Sequence, residues 1–264
     1  MARAGDRPVE HPGRDDATGA EAATRPTMRF VALKSAAQFD QQTLHRMRSR
    51  LVNGRTRLTN QLRAILLERA ITVAKGRRAL SLALATLVDD EGSGLSARMR
   101  ALLEETRSEW AELDARIAAL DREFVDTARS SAPARRLATI PGIGALKATA
   151  LTAAVGEAED LASARDLTAW LGLIPRQTTT SGKARLGGIT KRGNAYLRML
   201  LIHGARAALP GLSGSETPLG SWLRGLSERA HPNVVVVALA AKLARIAWAV
   251  LRRGADYGRR TAAA

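Results

Sequence analysis

The chain has no cysteine. This excludes disulfide bonds, iron–sulfur clusters and thiolate zinc sites, and fits a reducing interior. Aromatic residues make up only 3% of its 264 positions, too few for a single-strand binding surface built from rows of stacking rings. No stretch supplies the roughly 18 consecutive apolar residues that a membrane-spanning helix needs. The nearest, Val234 to Leu251, is interrupted by Lys242 and Arg245 and reads as a buried or amphipathic helix. Met1 to Thr27 mixes both charge signs with Pro and Gly around no apolar core, so it is expected to be neither a secretory signal nor a folded element.

Positive charge is what the chain has in excess. Forty-one Lys and Arg against 25 Asp and Glu leave a formal net charge of +16, which favours a polyanionic partner, most often DNA or RNA. The length suits one large domain or two modest ones, with enough chain for a real core.

Helical periodicity dominates. From Ala36 to about Ile71, Leu44, Leu51, Leu58 and Ile65 recur every seven residues, with Met47, Leu62 and Leu66 beside them. This predicts a long helix with a narrow apolar seam. Arg46, Arg48, Arg50, Arg55, Arg57, Arg63 and Arg69 make it basic. A shorter helix is expected over Ala79 to Val88, then a break at Gly92-Ser93-Gly94. A third helix, Ser96 to about Ala128, is acidic through Glu104, Glu105, Glu109, Glu112, Asp114, Asp121 and Glu123. The contrast suggests that the basic and acidic helices pair antiparallel, although a solvated charged face would look the same. Ser130-Ser131-Ala132-Pro133 reads as the clearest linker and Pro210 to Pro218 as a Gly/Ser/Pro-rich break. A last helix spans about Asn233 to Arg252, and Met28 to Leu33 suits one short strand.

Three polar signals lie between Leu137 and Ala207. Ile140-Pro141-Gly142-Ile143-Gly144 leads into an apolar run and has the form of a helix-hairpin-helix turn. Gly142, Gly144 and Lys147 would then face a phosphate at the next helix N-terminus; an ordinary turn between helices fits equally. Thr178-Thr179-Thr180-Ser181-Gly182-Lys183 offers four consecutive hydroxyls. A hydroxyl nucleophile needs exposure, positive charge to hold the phosphate and a proton acceptor. Arg176, Lys183 and Arg185 supply the charge, and Ser181, beside Gly182, is the least hindered hydroxyl; a polar surface loop is the bland alternative. The glycine spacing of a Walker loop is absent. Thr190-Lys191-Arg192-Gly193-Asn194 reads as a phosphate-contacting turn through Lys191 and Arg192, with Asn194 as N-cap, or as a solvated basic turn. His203, after Leu200-Leu201-Ile202, is expected in the core.

Taken in order, these segments resemble transposases of the insertion-sequence one-ten family, including its 116 and 902 types. The resemblance rests on Thr24-Arg25-Pro26-Thr27-Met28-Arg29-Phe30-Val31, Gln61-Leu62-Arg63, Ile140 to Gly144, Leu171-Gly172-Leu173-Ile174-Pro175-Arg176-Gln177, Ser181-Gly182-Lys183 and Gly188 to Arg198. His203 to Ala207 and Ala238 to Trp248 complete it. It implies a cytoplasmic bacterial DNA recombinase guided by a structured bridge RNA, with a RuvC-like domain binding Mg2+, a coiled coil, and a C-terminal domain carrying a nucleophilic serine. Family members often read Ser-Ser-Gly-Gly-Lys or Ser-Thr-Gly-Gly-Lys before the shared lysine. Ungapped alignment on Lys183 places the family hydroxyls at Thr179 and Thr180, while a one-residue slip restores Ser181. Ser181 is the expected nucleophile and Thr180 the runner-up.

The family's Asp-x-x-Asp-Ala-Glu-Ala-Ile segment falls here on Pro12 and Asp15. Asp15 is thus the expected remnant of a metal site that is not complete in this chain, as in a truncated or frameshifted element, or in a gene whose true start lies upstream. The expected fold is mainly α: a long helical hairpin or coiled coil, then a compact helical C-terminal domain with a helix-hairpin-helix-like turn. The expected division is 1–31, 32–131 and 132–264. Expected partners are DNA, guide RNA and further copies of the chain as a dimer or tetramer, with no membrane. Two other functions stay open: a nucleic-acid-binding remnant without catalysis, and a helical oligomerisation module.

Overall fold

The computed structural model describes residues 33–90, 92–180 and 183–258. Asp15, Ser181 and all but Leu33 of the strand expected over Met28 to Leu33 lie outside the described residues. From Lys34 onward the chain forms one compact unit. Among the described residues there are nine helices and one two-stranded sheet, so the fold is mainly α, as expected.

Helix α1 (Ala36–Leu67) opens with a capping box: Gln38 N–H donates to Ser35 Oγ, and Ser35 N–H donates to Gln38 Oε1. Two of the amides that a helix start leaves free are thereby satisfied. Helix α2 (Arg77–Asp89) and helix α3 (Ala97–Ser130) follow. The antiparallel pairing of basic α1 with acidic α3 is read directly from their contacts. His45 meets Phe124, Arg48 meets Asp121, and Arg55 meets Asp114; each step up α1 is an equal step down α3. The distal end is closed by Leu62 and Leu66 of α1, Leu80 and Leu84 of α2, and Leu103 and Trp110 of α3. The Arg63 guanidinium ties the α1–α2 connection by donating to the carbonyls of Val73, Ala74 and Gly76.

Where a linker was expected, Ser131 alone separates α3 from helix α4 (Ala132–Ala138). Its hydroxyl caps α4 by accepting from Ala134 N–H, and Pro133 occupies the first turn, where its missing N–H costs nothing. Helix α5 (Ala145–Val155) packs on α1, α3 and α4, and helix α6 (Ala164–Trp170) leads to strands β1 (Pro175–Thr180) and β2 (Lys183–Ile189). Helix α7 (Ala195–Ser213), α8 (Pro218–Ser227) and α9 (Pro232–Arg253) complete the unit. Pro210 does not end α7, which continues to Ser213; the expected break is only the short turn before α8. Helix α9 is long and apolar enough to cross a membrane by length and composition. It instead carries the core, with Leu239, Ala240, Leu243, Ala244 and Ala247 fully buried.

One interior position of α1 is polar. His45 is buried, stacked on Phe124 at 4.2 Å, and bonded through Nδ1 to Tyr196 Oη and through Nε2 to Thr149 Oγ1, both at 3.1 Å. Thr149 donates its own proton to the Ala145 carbonyl, so its oxygen accepts from His45 Nε2–H, and Nδ1 accepts from Tyr196. A neutral imidazole satisfies every group. Burial, aided by the nearby Arg48 cation, lowers the His45 pKa to about 4 from 6.5. The unfolded chain therefore binds a proton between those values that the folded chain refuses. The stability from a neutral His45 is complete above 6.5 and drains away as the pH falls toward 4, by about 3 kcal/mol in all at 1.36 kcal/mol per unit. Denaturant titrations at pH 7 and pH 4.5 should show that extra acid loss in the wild type and not in His45→Gln. Equal losses in both would refute the linkage.

Candidate nucleic-acid interface

The hydroxyl-rich segment expected as a loop is a β-hairpin, every residue of β1 being exposed. Its register pairs Thr180 with Lys183, Thr179 with Ala184, Thr178 with Arg185, Gln177 with Leu186 and Pro175 with Ile189. The extra residue of the bulge falls in β2, at Gly187-Gly188. Directly opposed side chains share a face and neighbours alternate. One face therefore carries Arg176, Thr178, Thr180, Lys183 and Arg185, and the other carries Gln177, Thr179, Ala184 and Leu186. All three hairpin cations stand on one side with two hydroxyls. Of the two candidate nucleophiles, Thr180 lies on that cationic face, while Ser181 follows it outside the described residues.

The base of the hairpin is clamped. At Gly172, φ is +68° and a Cβ would lie 1.9 Å from the Arg192 carbonyl oxygen; at Gly193, φ is +86° and a Cβ would lie 1.9 Å from the Trp170 carbonyl oxygen. The two chain segments thus approach more closely than any side chain allows. Lys191 N–H donates to the Gly172 carbonyl, Thr190 N–H to the Ile174 carbonyl, and the Arg198 guanidinium to the Leu171 carbonyl. Lys191 itself sits at φ 57°, a region that side chains other than Gly, Asn and Asp rarely enter. Lys191 and Arg192 are exposed, so the basic turn presents both charges while its backbone is locked. Asn194 caps α7 by accepting from Leu197 N–H.

The Ile140–Gly144 turn joins two packed helices, but its glycines divide the work. A Cβ on Gly142 would lie 2.7 Å from the Gly204 carbonyl oxygen, and one on Gly204 would lie 2.3 Å from the Gly142 carbonyl oxygen. Gly142 is therefore required for contact with α7. Gly144 is exposed and open, with nothing within 4 Å of a Cβ. Lys147 is half-buried, its stem lying over Gly204, and burial lowers its pKa. Gly142 and Lys147 thus serve packing, whereas Gly144 leaves the α5 N-terminus accessible. His203, expected in the core, is exposed; its neighbour Gly204 takes the packed face.

Sequence reasoning missed His45, Thr149 and Tyr196. The signal available was a histidine one residue from the leucine seam, facing a helix with a threonine among alanines. Tyr196 and Asn194 also line a cleft of about 390 Å³ with Gln42 and Arg46, which runs from α1 to the basic turn. Among the described residues, no three His, Asp or Glu side chains come together as metal ligands.

Residues 134–214, which contain the turn, the hairpin, its clamp and all of α7, match the family model for the transposase IS116/IS110/IS902 family. The chain is 45% identical over 249 residues to a Pseudomonas aeruginosa protein named "Probable family 20 transposase", covering 94% of this chain and 74% of the relative. It is 40% identical to the transposase for insertion sequence element IS1111A of Coxiella burnetii, covering 92% of this chain and 67% of that protein. Against the transposase for insertion sequence element IS1328 of Yersinia enterocolitica the identity is 38%, with 90% and 71% covered. With that identity carried across nearly its whole length, and with the matched region centred on the clamped hairpin, the chain belongs to the IS116/IS110/IS902 family of insertion-sequence transposases.

Proposed function

We propose that this chain cleaves and rejoins the DNA of an insertion sequence, with the β-hairpin presenting the nucleophilic hydroxyl to a phosphate. The observation that carries this reading is the hairpin face that gathers Arg176, Lys183 and Arg185 with Thr180, next to Ser181 in the chain. Cations on that face hold a phosphodiester and stabilise the charge that builds on its oxygens during displacement. The seryl oxygen of Ser181 bonds to phosphorus as the bond to the leaving sugar oxygen breaks, and the hydroxyl proton ends on that sugar oxygen. Attack by a second sugar hydroxyl reverses the step and releases the protein. Thr180 is the second choice for the same role.

Lys191 and Arg192 extend the grip beside the clamp, and Gly144 offers a further phosphate contact at the start of α5. On this reading residues 132–264 form the transposase domain and 32–131 a helical arm that joins copies into a dimer or tetramer. Guide RNA is the second polyanion that the charge of +16 would serve. Among the described residues no three His, Asp or Glu side chains come together, so a Mg2+ ion would need ligands from elsewhere, the substrate phosphates among them. Asp15 lies outside the described residues.

Binding is tested by the salt dependence of affinity for duplex DNA. Arg185→Ala and Lys183→Ala should each weaken binding uniformly across sequences and lower the log–log salt slope by about 1. Unchanged affinity and slope in both variants would remove the hairpin from the interface. Binding without cleavage would instead mark a nucleic-acid-binding member of the same family.

A further inference from the structure

The face of the hairpin turned away from the cations carries no charge. It consists of Gln177, Thr179, Ala184 and Leu186, and Leu186 is 71% exposed. Ile189, in line with this face at the hairpin base, is packed against the core. An uncharged strip therefore starts at the folded body and runs outward along the ribbon as far as the Thr179–Ala184 pair. On a chain of net charge +16, one ribbon thus separates the two chemistries that a nucleic-acid strand displays. Its phosphates match the cationic face, and the flat surfaces of its bases match the uncharged one.

We propose that Leu186 acts as a wedge, packing against bases unstacked next to the phosphate that Arg176, Lys183 and Arg185 hold. The proposal rests on the nucleic-acid reading of the hairpin given above. Apolar side chains such as leucine enter opened base steps because the exposed ring faces gain an apolar neighbour in place of water. A two-stranded ribbon is also narrow enough to enter a major groove. Gln177, opposite Leu186, adds an amide that pairs with a base edge, and Thr179 and Ala184 leave the strip shallow enough for close approach. The clamp at Gly172 and Gly193 supplies the rigidity a wedge needs, since a ribbon that swung freely would yield rather than part the stack. The bound nucleic acid would then be distorted where the hydroxyl attacks, opening the phosphate to in-line approach.

The test compares binding of the full chain to a perfect duplex and to the same duplex carrying a small unpaired bubble with a fluorescent base analogue inside it. The wild type should prefer the bubble by about tenfold and change the analogue's fluorescence on binding. Leu186→Ala should erase most of that preference and the fluorescence change while keeping the salt slope, because no cation is removed. Arg185→Ala should weaken binding to both DNAs equally and keep the preference. Leu186 is exposed, so its truncation leaves the fold intact. A wild type that binds both DNAs alike, or a Leu186→Ala variant that keeps the full preference, overturns the wedge. If Arg185→Ala still lowers the salt slope in that case, the hairpin remains a nucleic-acid interface. If it does not, the broader reading fails as well.

Discussion

Replacing Gly193 with alanine is expected to destabilise the protein by about 4 kcal/mol or more, placing it among the rare severe single substitutions. Two separate costs combine. The residue sits at φ +86°, where an L side chain loses about 1 kcal/mol. The added Cβ would also stand 1.9 Å from the Trp170 carbonyl oxygen, and that oxygen cannot retreat cheaply. Trp170 ends α6, and the neighbouring backbone is pinned by the Lys191-to-Gly172 and Thr190-to-Ile174 hydrogen bonds. Relief would require breaking the clamp itself. Gly172→Ala should behave alike, because its Cβ would meet Arg192 at the same distance. Gly188→Ala is the control: it lies in the same stretch with nothing within 4 Å of its Cβ, and should cost under about 1 kcal/mol. Urea unfolding of the three variants measures the contrast. A Gly193→Ala protein as stable as Gly188→Ala would show that the two segments are not locked together.

The second large effect concerns chemistry. In a cleavage assay on supercoiled element DNA with Mg2+ and guide RNA, Ser181→Ala should reduce strand cleavage by about a thousandfold or more, as removal of a nucleophile does in other covalent mechanisms. It should also abolish the covalent protein–DNA adduct recovered under denaturing conditions, while DNA affinity stays near that of the wild type. Thr180→Val makes the comparison decisive. It keeps the β-branched shape favoured in a strand and removes only the hydroxyl from the cationic face. Loss of cleavage in Ser181→Ala with survival in Thr180→Val supports Ser181. The opposite pattern transfers the role to Thr180, and full activity in both sinks the hydroxyl mechanism.

The long helices were legible because burial repeats along them. Leu51, Leu58, Leu103, Trp110 and Ile117 are apolar and buried, and their helical spacing marks α1 and α3 to within a few residues of their ends. The antiparallel pairing was legible too, since Arg48 and Arg55 meet the acids that the charge contrast pointed to. The hairpin was not. A strand announces itself by alternating burial, and β1 buries nothing. Its threonines therefore looked like a loop. His45 escaped for a different reason: a polar residue beside Leu44 breaks the apolar pattern, and only its hydrogen-bond partners on two distant helices reveal why it is inside. Gly142 and Gly193 were visible as turn chemistry, but what each one touches is long-range information. His203 shows the limit of local context, because an apolar run that wraps a helix says little about which way the next residue points.

The clamp has a mechanical meaning beyond stability. A strand of six residues at roughly 3.3 Å per residue holds its far end about 20 Å from its root. The hairpin is in effect a cantilever fixed where Gly172 and Gly193 meet. A tilt of only about 3° at that root moves the Thr180–Lys183 end by about 1 Å, a misplacement that can cost a reaction on the order of a hundredfold in rate. The aim of the Thr180–Lys183 end is therefore set by two residues that have no side chain.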